Sequence, residues 1–461
     1  MRKMDRNLLL GRRFSIVCVA LIAFAFGLSF AFFFSPGFMS FDSLQQYRQV
    51  HKIIPMTTAH PPIMAYTWGV LEEIFKSVSA LFWFHQLIYW SGLIIFACVI
   101  FSSFWTRVLI IIFLGFWPPL IISTLHVWKD VGMLACLLLS FSALLAYSKF
   151  EGKFWIIIAI ASMFYATAVR INGFIPVFIL SLCLCYLIGQ KKGFSSYKLY
   201  FSSFFGALAL LVIFFIGISL INKNIQKSYG LGTLLVWDIA AVSIDRDVNL
   251  FPSYLGGASE PELMEKVKKN NSNEANYHVF SVISPYPEPA YHSRLIRDWV
   301  TIVFENPVEY LKHRFHVFLS LSGVHVKGAV YYPFHPGIDE NEFGLNFKNM
   351  TDVEMWKTLG FFSKIASYPI YQAFYYYLLG IFVIFIGVLR IIRGSEYREQ
   401  YIVATGLSVS GLLNAISLFF IATAADFRYI TWSIEAAVLS ACLIAVLGIA
   451  EFRRKLKNEN F

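Results

Sequence analysis

"SIVCVALIAFAFGLSFAFFF", Ser15–Phe34, is twenty residues without a charge. As a helix rising about 1.5 Å per residue, such a run crosses about 30 Å, the thickness of a bilayer's hydrocarbon core. A basic start before an apolar run also describes a signal peptide. This run is longer than a signal's apolar region, however, and no small-residue cleavage site follows it. It reads as a retained first span, near 15–34. Outward from it the pattern recurs near 84–101, 107–123, 131–148, 154–170, 172–189, 199–221, 366–390, 400–422 and 429–450, giving ten spans. The third carries Pro118 and Pro119, which a span tolerates where neighbours take up the freed backbone groups.

Composition agrees. The 461 residues are 57% hydrophobic and only 14% charged, with a mean hydropathy of +0.62, far too apolar for a soluble chain of this length. All six cysteines (Cys18, Cys98, Cys136, Cys183, Cys185 and Cys442) fall in apolar runs, so no disulfide framework or zinc pair is indicated. The expected fold is an all-α polytopic membrane protein of about ten transmembrane helices. Residues 1–221 form an N-terminal membrane module of seven spans. Residues 222–365 form one large mixed loop, and 366–461 a C-terminal module of three spans.

Basic residues set the orientation. With the N-terminus inside, the inner segments hold 18 Lys and Arg, and the outer short loops hold 6. Both termini are then cytoplasmic and the 222–365 loop external. That loop has 14 basic and 16 acidic residues, so it offers no nucleic-acid surface despite the chain's net charge of +10. Within it, 306–324 reads as an amphipathic helix and 270–293 as an ordered or lid-like loop.

Four short clusters then share the outer side. "SFDSLQQYRQVHKIIPMTTAHPP" (40–62) supplies Asp42 and His60. "TLHVWKDVG" (124–132) supplies His126, Lys129 and Asp130. "VRINGF" (169–174) supplies Arg170 and Asn172. "TAADFRYITW" (423–432) supplies Asp426, Arg428 and Tyr429, with Glu435 one to two turns into the last span. Singly, each has a plain reading. Lys129, Arg170 and Arg428 would be snorkelling anchors, Asp42 an acid in a helix's first turn, and His60 a turn residue before proline. Together on one face, charges beside spans mark a single site. After Pro62, apolar residues at helical spacing (Ile63, Tyr66, Val70, Ile74) oppose Glu72, Glu73 and Lys76. This is the pattern of a helix lying on the membrane surface.

The chemistry follows from residue type. Arginine and lysine suit a phosphate, and a neighbouring carboxylate suits deprotonation of a hydroxyl. No Gly-rich nucleotide loop is present, so the expected substrate is a lipid-linked phosphate. Here "FDSLQQY…HPPIMAYTW", "WKDV", "RING" and "DFRY" resemble the GT-C membrane glycosyltransferases, in particular bacterial enzymes that decorate envelope glycans, such as O-antigen-modifying glucosyltransferases. The resemblance covers the spans and the first loop but not 222–365. It implies an inverting transferase in the bacterial inner membrane, facing the periplasm. A polyprenyl-phosphate sugar would be the donor and an envelope glycan (O-antigen or lipopolysaccharide) the acceptor. It assigns Asp42 as base; the residue chemistry adds Lys129, Arg170 and Arg428 as phosphate ligands, and His60 either to orient Asp42 or to bind the phosphate. Asp130, Asn172, Asp426, Tyr429 and Glu435 would be supporting residues. Asp42 is followed by Ser43, so the family's acidic pair is missing. The sequence requires no metal and leaves a divalent cation open. A flippase and a donor synthase are candidate partners. A transporter for lipid-linked sugars, or a polysaccharide polymerase or ligase, are the alternatives.

The topology has a direct test. A membrane-impermeant maleimide should label Asn273→Cys in intact cells. Labelling only after permeabilisation would invert the side assignment.

Overall fold

The computed structural model describes residues 6–260, 262–324, 333, 335, 337–346, 357, 364 and 368–459. Among the described residues, eight helices are long and apolar enough to cross a membrane. They begin with α1 (Arg6–Phe32). Two short helices, α2 (Phe41–Val50) and α3 (Pro62–Phe75), follow, and then α4 (Ala80–Ile100). The third apolar run is not one rod. It is α5 (Phe104–Gly115) and α6 (Pro118–Thr124), bent by 71° where Pro118 and Pro119 enter. Proline has no N–H for the preceding turn, which breaks the ladder there. Next come α7 (Lys129–Phe150), the 17-residue α8 (Lys153–Val169), α9 (Phe174–Lys191) and α10 (Ser196–Ile221). The segment after α10 contains α11 (Leu231–Arg246), α12 (Leu263–Asn270), α13 (His292–Glu305) and α14 (Pro307–Leu321). The chain closes with α15 (Ala373–Ile392), α16 (Arg398–Ile421) and α17 (Thr431–Glu459). Among the described residues the only extended pairings are isolated bridges.

α7 is the axis of the bundle. It is 94% buried, against 11% for α10 and 22% for α1. Its sequence explains this: Gly132, Ala135, Cys136, Ser140, Ser142, Ala143 and Ala146 leave room for close helix approach. On the facing helix, a Cβ at Gly92 of α4 would stand 2.7 Å from Leu138 Cγ, so only glycine fits. α4 and α8 pack along α7, while α15, α16 and α17 pack mutually on another side. α3 turns Met64, Ala65 and Trp68 inward and leaves Tyr66, Val70, Ile74 and Phe75 exposed. Its apolar outer face fits a helix lying on a membrane surface.

The α11–α14 segment is tied together by a buried ion pair and linked to the bundle through the same arginine. Arg314 of α14 and Asp238 of α11 are both wholly buried and form an ion pair. Trp299 Nε1 also donates to Asp238, at 3.0 Å. Arg314 Nη1 reaches out to the carbonyl of Ala422, at the end of α16, at 2.8 Å. A second strap lies beside it. Ala275 and Ala424 form an antiparallel bridge, with Ala425 N donating to Glu274 O at 2.7 Å. Removing one partner of a buried pair costs about 3–5 kcal/mol, because the other charge stays buried. Arg314→Met should therefore lower the apparent melting temperature in nanodiscs sharply. An unchanged midpoint would show that the pair does not hold this segment.

Candidate functional site

The four clusters meet at one end of the bundle. The first loop arrives by backbone pairing: Phe38 N donates to Leu125 O, and Val127 N to Phe38 O, each at 2.9 Å. On its other side Met39 N donates to Gly337 O at 3.1 Å, and Asp339 N to Met39 O at 3.0 Å. Ser43 Oγ donates to Val127 O at 2.8 Å. These bonds fix the start of α2 against the start of α7. Ser40 occupies the N-cap position but makes no side-chain cap bond; its Oγ accepts from Trp128 Nε1 at 2.9 Å.

Asp42, in the first turn of α2, therefore points at the last cluster. Arg428 Nη2 lies 2.9 Å from Asp42 Oδ2, and Arg428 Nε lies 2.7 Å from Asp426 Oδ2 and 4.0 Å from Asp130 Oδ2. Arg170 Nη1 donates to the same Asp130, at Oδ2, at 3.0 Å, and its Nε lies 2.9 Å from Oδ1. The Arg170 Nε hydrogen goes to Asn172 Oδ1 at 3.1 Å. The ring of Tyr429 stands 4.5 Å from the Arg170 guanidinium and 5.5 Å from that of Arg428, and Trp128 covers Arg428 at 5.2 Å. Desolvated cations against aromatic faces gain further stabilisation.

Lys129 is placed differently from the two arginines. Its Nζ donates to His60 Nδ1 at 3.1 Å, and no carboxylate lies within ion-pair distance among the described residues. An imidazole that accepts from an ammonium must be neutral. Burial, then Lys129, lower the His60 ring to a pKa of about 4, against the pull of Asp42. Burial pushes the Asp42 carboxyl up, but Arg428, Lys129 and His60 outweigh it and hold it well below the usual carboxylate range. Asp42 is thus ionised and His60 neutral at neutral pH.

Beside the ions lies a cavity of about 240 Å³. Lys129, Arg170, Asn172 and Tyr429 give it a polar wall, and Ile171, Leu418, Ile421 and Ala422 an apolar one. Asn172 Nδ2 is buried there without a hydrogen-bond partner. Arg170 fixes that amide's orientation by donating to its oxygen, so the unpartnered atom is a donor. Ile171 is 74% exposed and Ile421 43% exposed, so the apolar side opens outward.

Three sequence expectations change. Arg428, expected at the phosphate, faces Asp42 and Asp426 and does not line the cavity. Glu435 does not join the cluster: it is 1% exposed inside α17, its Oε2 has no partner, and it lies within electrostatic reach of Tyr89. His126 is structural, stacked on Trp128 at 3.8 Å, with Nδ1 facing Ser123 O and Nε2 facing the His335 backbone. The remaining candidates, Asp42, His60, Lys129, Asp130, Arg170, Asn172, Asp426 and Tyr429, do converge. Trp128, the 337–339 pairing and the free amide of Asn172 carried no sequence signal that singled them out. The three carboxylates are engaged by guanidinium groups, and among the described residues no group of three His, Cys, Asp or Glu is arranged to hold a metal. No family model, curated protein or solved structure matches the chain.

Arg428→Ala strips Asp42 and Asp426 of their cation, and should cost about 3–5 kcal/mol of stability. Lys129→Ala breaks no ion pair and should leave the melting midpoint near wild type. Equal melting of both variants would remove Arg428 as the hub.

Proposed function

We propose that the chain is an inverting glycosyltransferase that moves a sugar from a polyprenyl-phosphate donor to an envelope glycan acceptor. The setting is the GT-C-like one that the sequence suggests. The bent α5–α6 pair and the short α8 complete ten spans in the bacterial inner membrane, and the site faces the periplasm. One observation carries this reading. The 240 Å³ cavity joins anion-binding donors to an apolar, outward-open wall, with an ionised carboxylate tied to it through the ion cluster. A phosphate on a lipid tail has that duality.

The step balances as a single displacement. The acceptor hydroxyl oxygen attacks the anomeric carbon and forms the new glycosidic bond. Its proton passes to Asp42. The bond from the anomeric carbon to the phosphate oxygen breaks, and its electron pair leaves with the polyprenyl phosphate. Lys129, Arg170 and Asn172 Nδ2 hold that growing charge. Neutral His60 accepts from Lys129 and keeps the ammonium aimed at the cavity wall. A base with so low a pKa acts late, when the attacking oxygen has already become acidic. A transporter for lipid-linked sugars is the second reading, favoured by Glu435 with its unpartnered oxygen inside the bundle. A polymerase or ligase would differ in the acceptor.

Reconstituted protein with radiolabelled polyprenyl-phosphate sugar tests this. Asp42→Asn keeps the shape and should slow transfer by about 10²–10⁴-fold with donor binding intact. Lys129→Ala should raise the donor KM by about tenfold or more, as for a lost charge-assisted contact. Label that crosses the bilayer without joining an acceptor would favour the transporter and sink the transferase.

A further inference from the structure

A second pocket, of about 170 Å³, lies between α11, α14 and the 271–273 turn. Its polar groups are unusual. His313 is 4% exposed, and neither ring nitrogen has a hydrogen-bond partner. Its Nε2 stands 3.6 Å from Asp238, too far for a hydrogen bond, and Asp238 is already paired with Arg314. Burial and Arg314 lower the His313 ring to a pKa of about 3, so it offers one donor and one acceptor. Asn271 Oδ1 is also buried without a partner. The charges around these groups cancel locally. Asp245 pairs with Lys312, and Glu309 lies 3.4 Å from Arg246. Buried polar atoms left unmade are costly, and a ligand that satisfies them gains that energy. Locally balanced charge offers little to a phosphate or a metal ion. Hydroxyl groups, each both donor and acceptor, match neutral imidazole and amide, and the volume is that of one ring rather than a chain.

We propose that this pocket binds a single neutral sugar residue. Its position ties it to the cavity at the bundle's end. Asn271 and Asn273 lead into Glu274–Asn276, which bond to Thr423 and Ala425. Arg314, next to His313, donates to Ala422 O, and Ala422 and Thr423 line the 240 Å³ cavity. The bound sugar is then a unit of the acceptor glycan, held by the same backbone that carries Asp426 and Arg428. That assignment to the acceptor rests on the transferase reading; the binding does not.

The test uses the full chain in nanodiscs and saturation-transfer NMR with methyl glycosides of glucose, galactose, mannose, rhamnose and N-acetylglucosamine. At least one should receive saturation from the protein. Asn271→Ala, which removes the acceptor, and Ala241→Leu, which fills the pocket from α11, should each weaken binding by about tenfold. Lys129→Ala should leave it unchanged, and inorganic phosphate should not compete. No saturation of any glycoside, or wild-type binding by both pocket variants, overturns the proposal. Binding retained without any sugar transfer would sink the transferase alone. Transfer retained without binding would sink the pocket alone.

Discussion

Arg428 and its carboxylates are the constraint on which the site depends. Taking one charge out of water costs several kcal/mol unless another answers it. The carboxylates of Asp42, Asp426 and Asp130 all face Arg428, and Arg170 holds Asp130 from the other side. These groups come from the start of α2, the start of α7, the end of α8 and the turn before α17. The cluster cannot form unless those four ends meet. The small residues of α7 allow the close packing that brings them together, and the backbone pairing of Phe38 with Leu125 and Val127 sets the register of α2.

The same pairing decides which groups remain for a ligand. Three cations and three carboxylates balance, yet they are not equivalent. Arg428 faces Asp42 and Asp426, Arg170 is shared between Asp130 and the cavity, and Lys129 donates to a neutral imidazole. The cavity therefore presents the Lys129 ammonium, whose hydrogen-bond partner is a neutral imidazole, with an amide donor beside it. That suits a phosphodiester with one negative charge. A phosphate monoester carries nearly two at neutral pH, with a second pKa of about 6, and is less well matched. On the proposed reading the donor fits better than the spent carrier, which assists release.

Much of the fold was legible because span length and apolarity are set by the bilayer, and each of the ten apolar runs contains helix. What counting missed was the break at Pro118, where two adjacent prolines remove consecutive donors. The site was legible as four clusters because a charge at a span's edge is costly to keep. The partners were not legible. Asp42 could have capped its own helix, and only the convergence of distant loops sends it to Arg428. Glu435 was misplaced for a related reason. Phe427–Ile430 is a tight 3₁₀ turn before α17 begins, and the carboxylate one turn further on is directed into the bundle, away from the cluster. The fit of α11–α14 to the bundle depends on Arg314 and Ala422, residues with no local pattern to announce them.

Charge alternates along the line from Asp42 to the cavity: carboxylate, Arg428, Asp130, Arg170, cavity. In the proposed transfer a proton reaches Asp42 while a negative charge appears on the leaving phosphate. Protonation removes one of Arg428's partners, so Arg428 draws more strongly on Asp130. Asp130 then screens Arg170 less, and Arg170 meets the phosphate with more of its charge. The base and the leaving group are thereby linked without touching, through side chains that need not move. Such a relay works only where water is excluded, since screening would uncouple its ends. Trp128 and Tyr429 cover faces of the two guanidinium groups. The ion cluster locks four helix ends together, and on the proposed reading the same residues couple the site of deprotonation electrostatically to the site of departure.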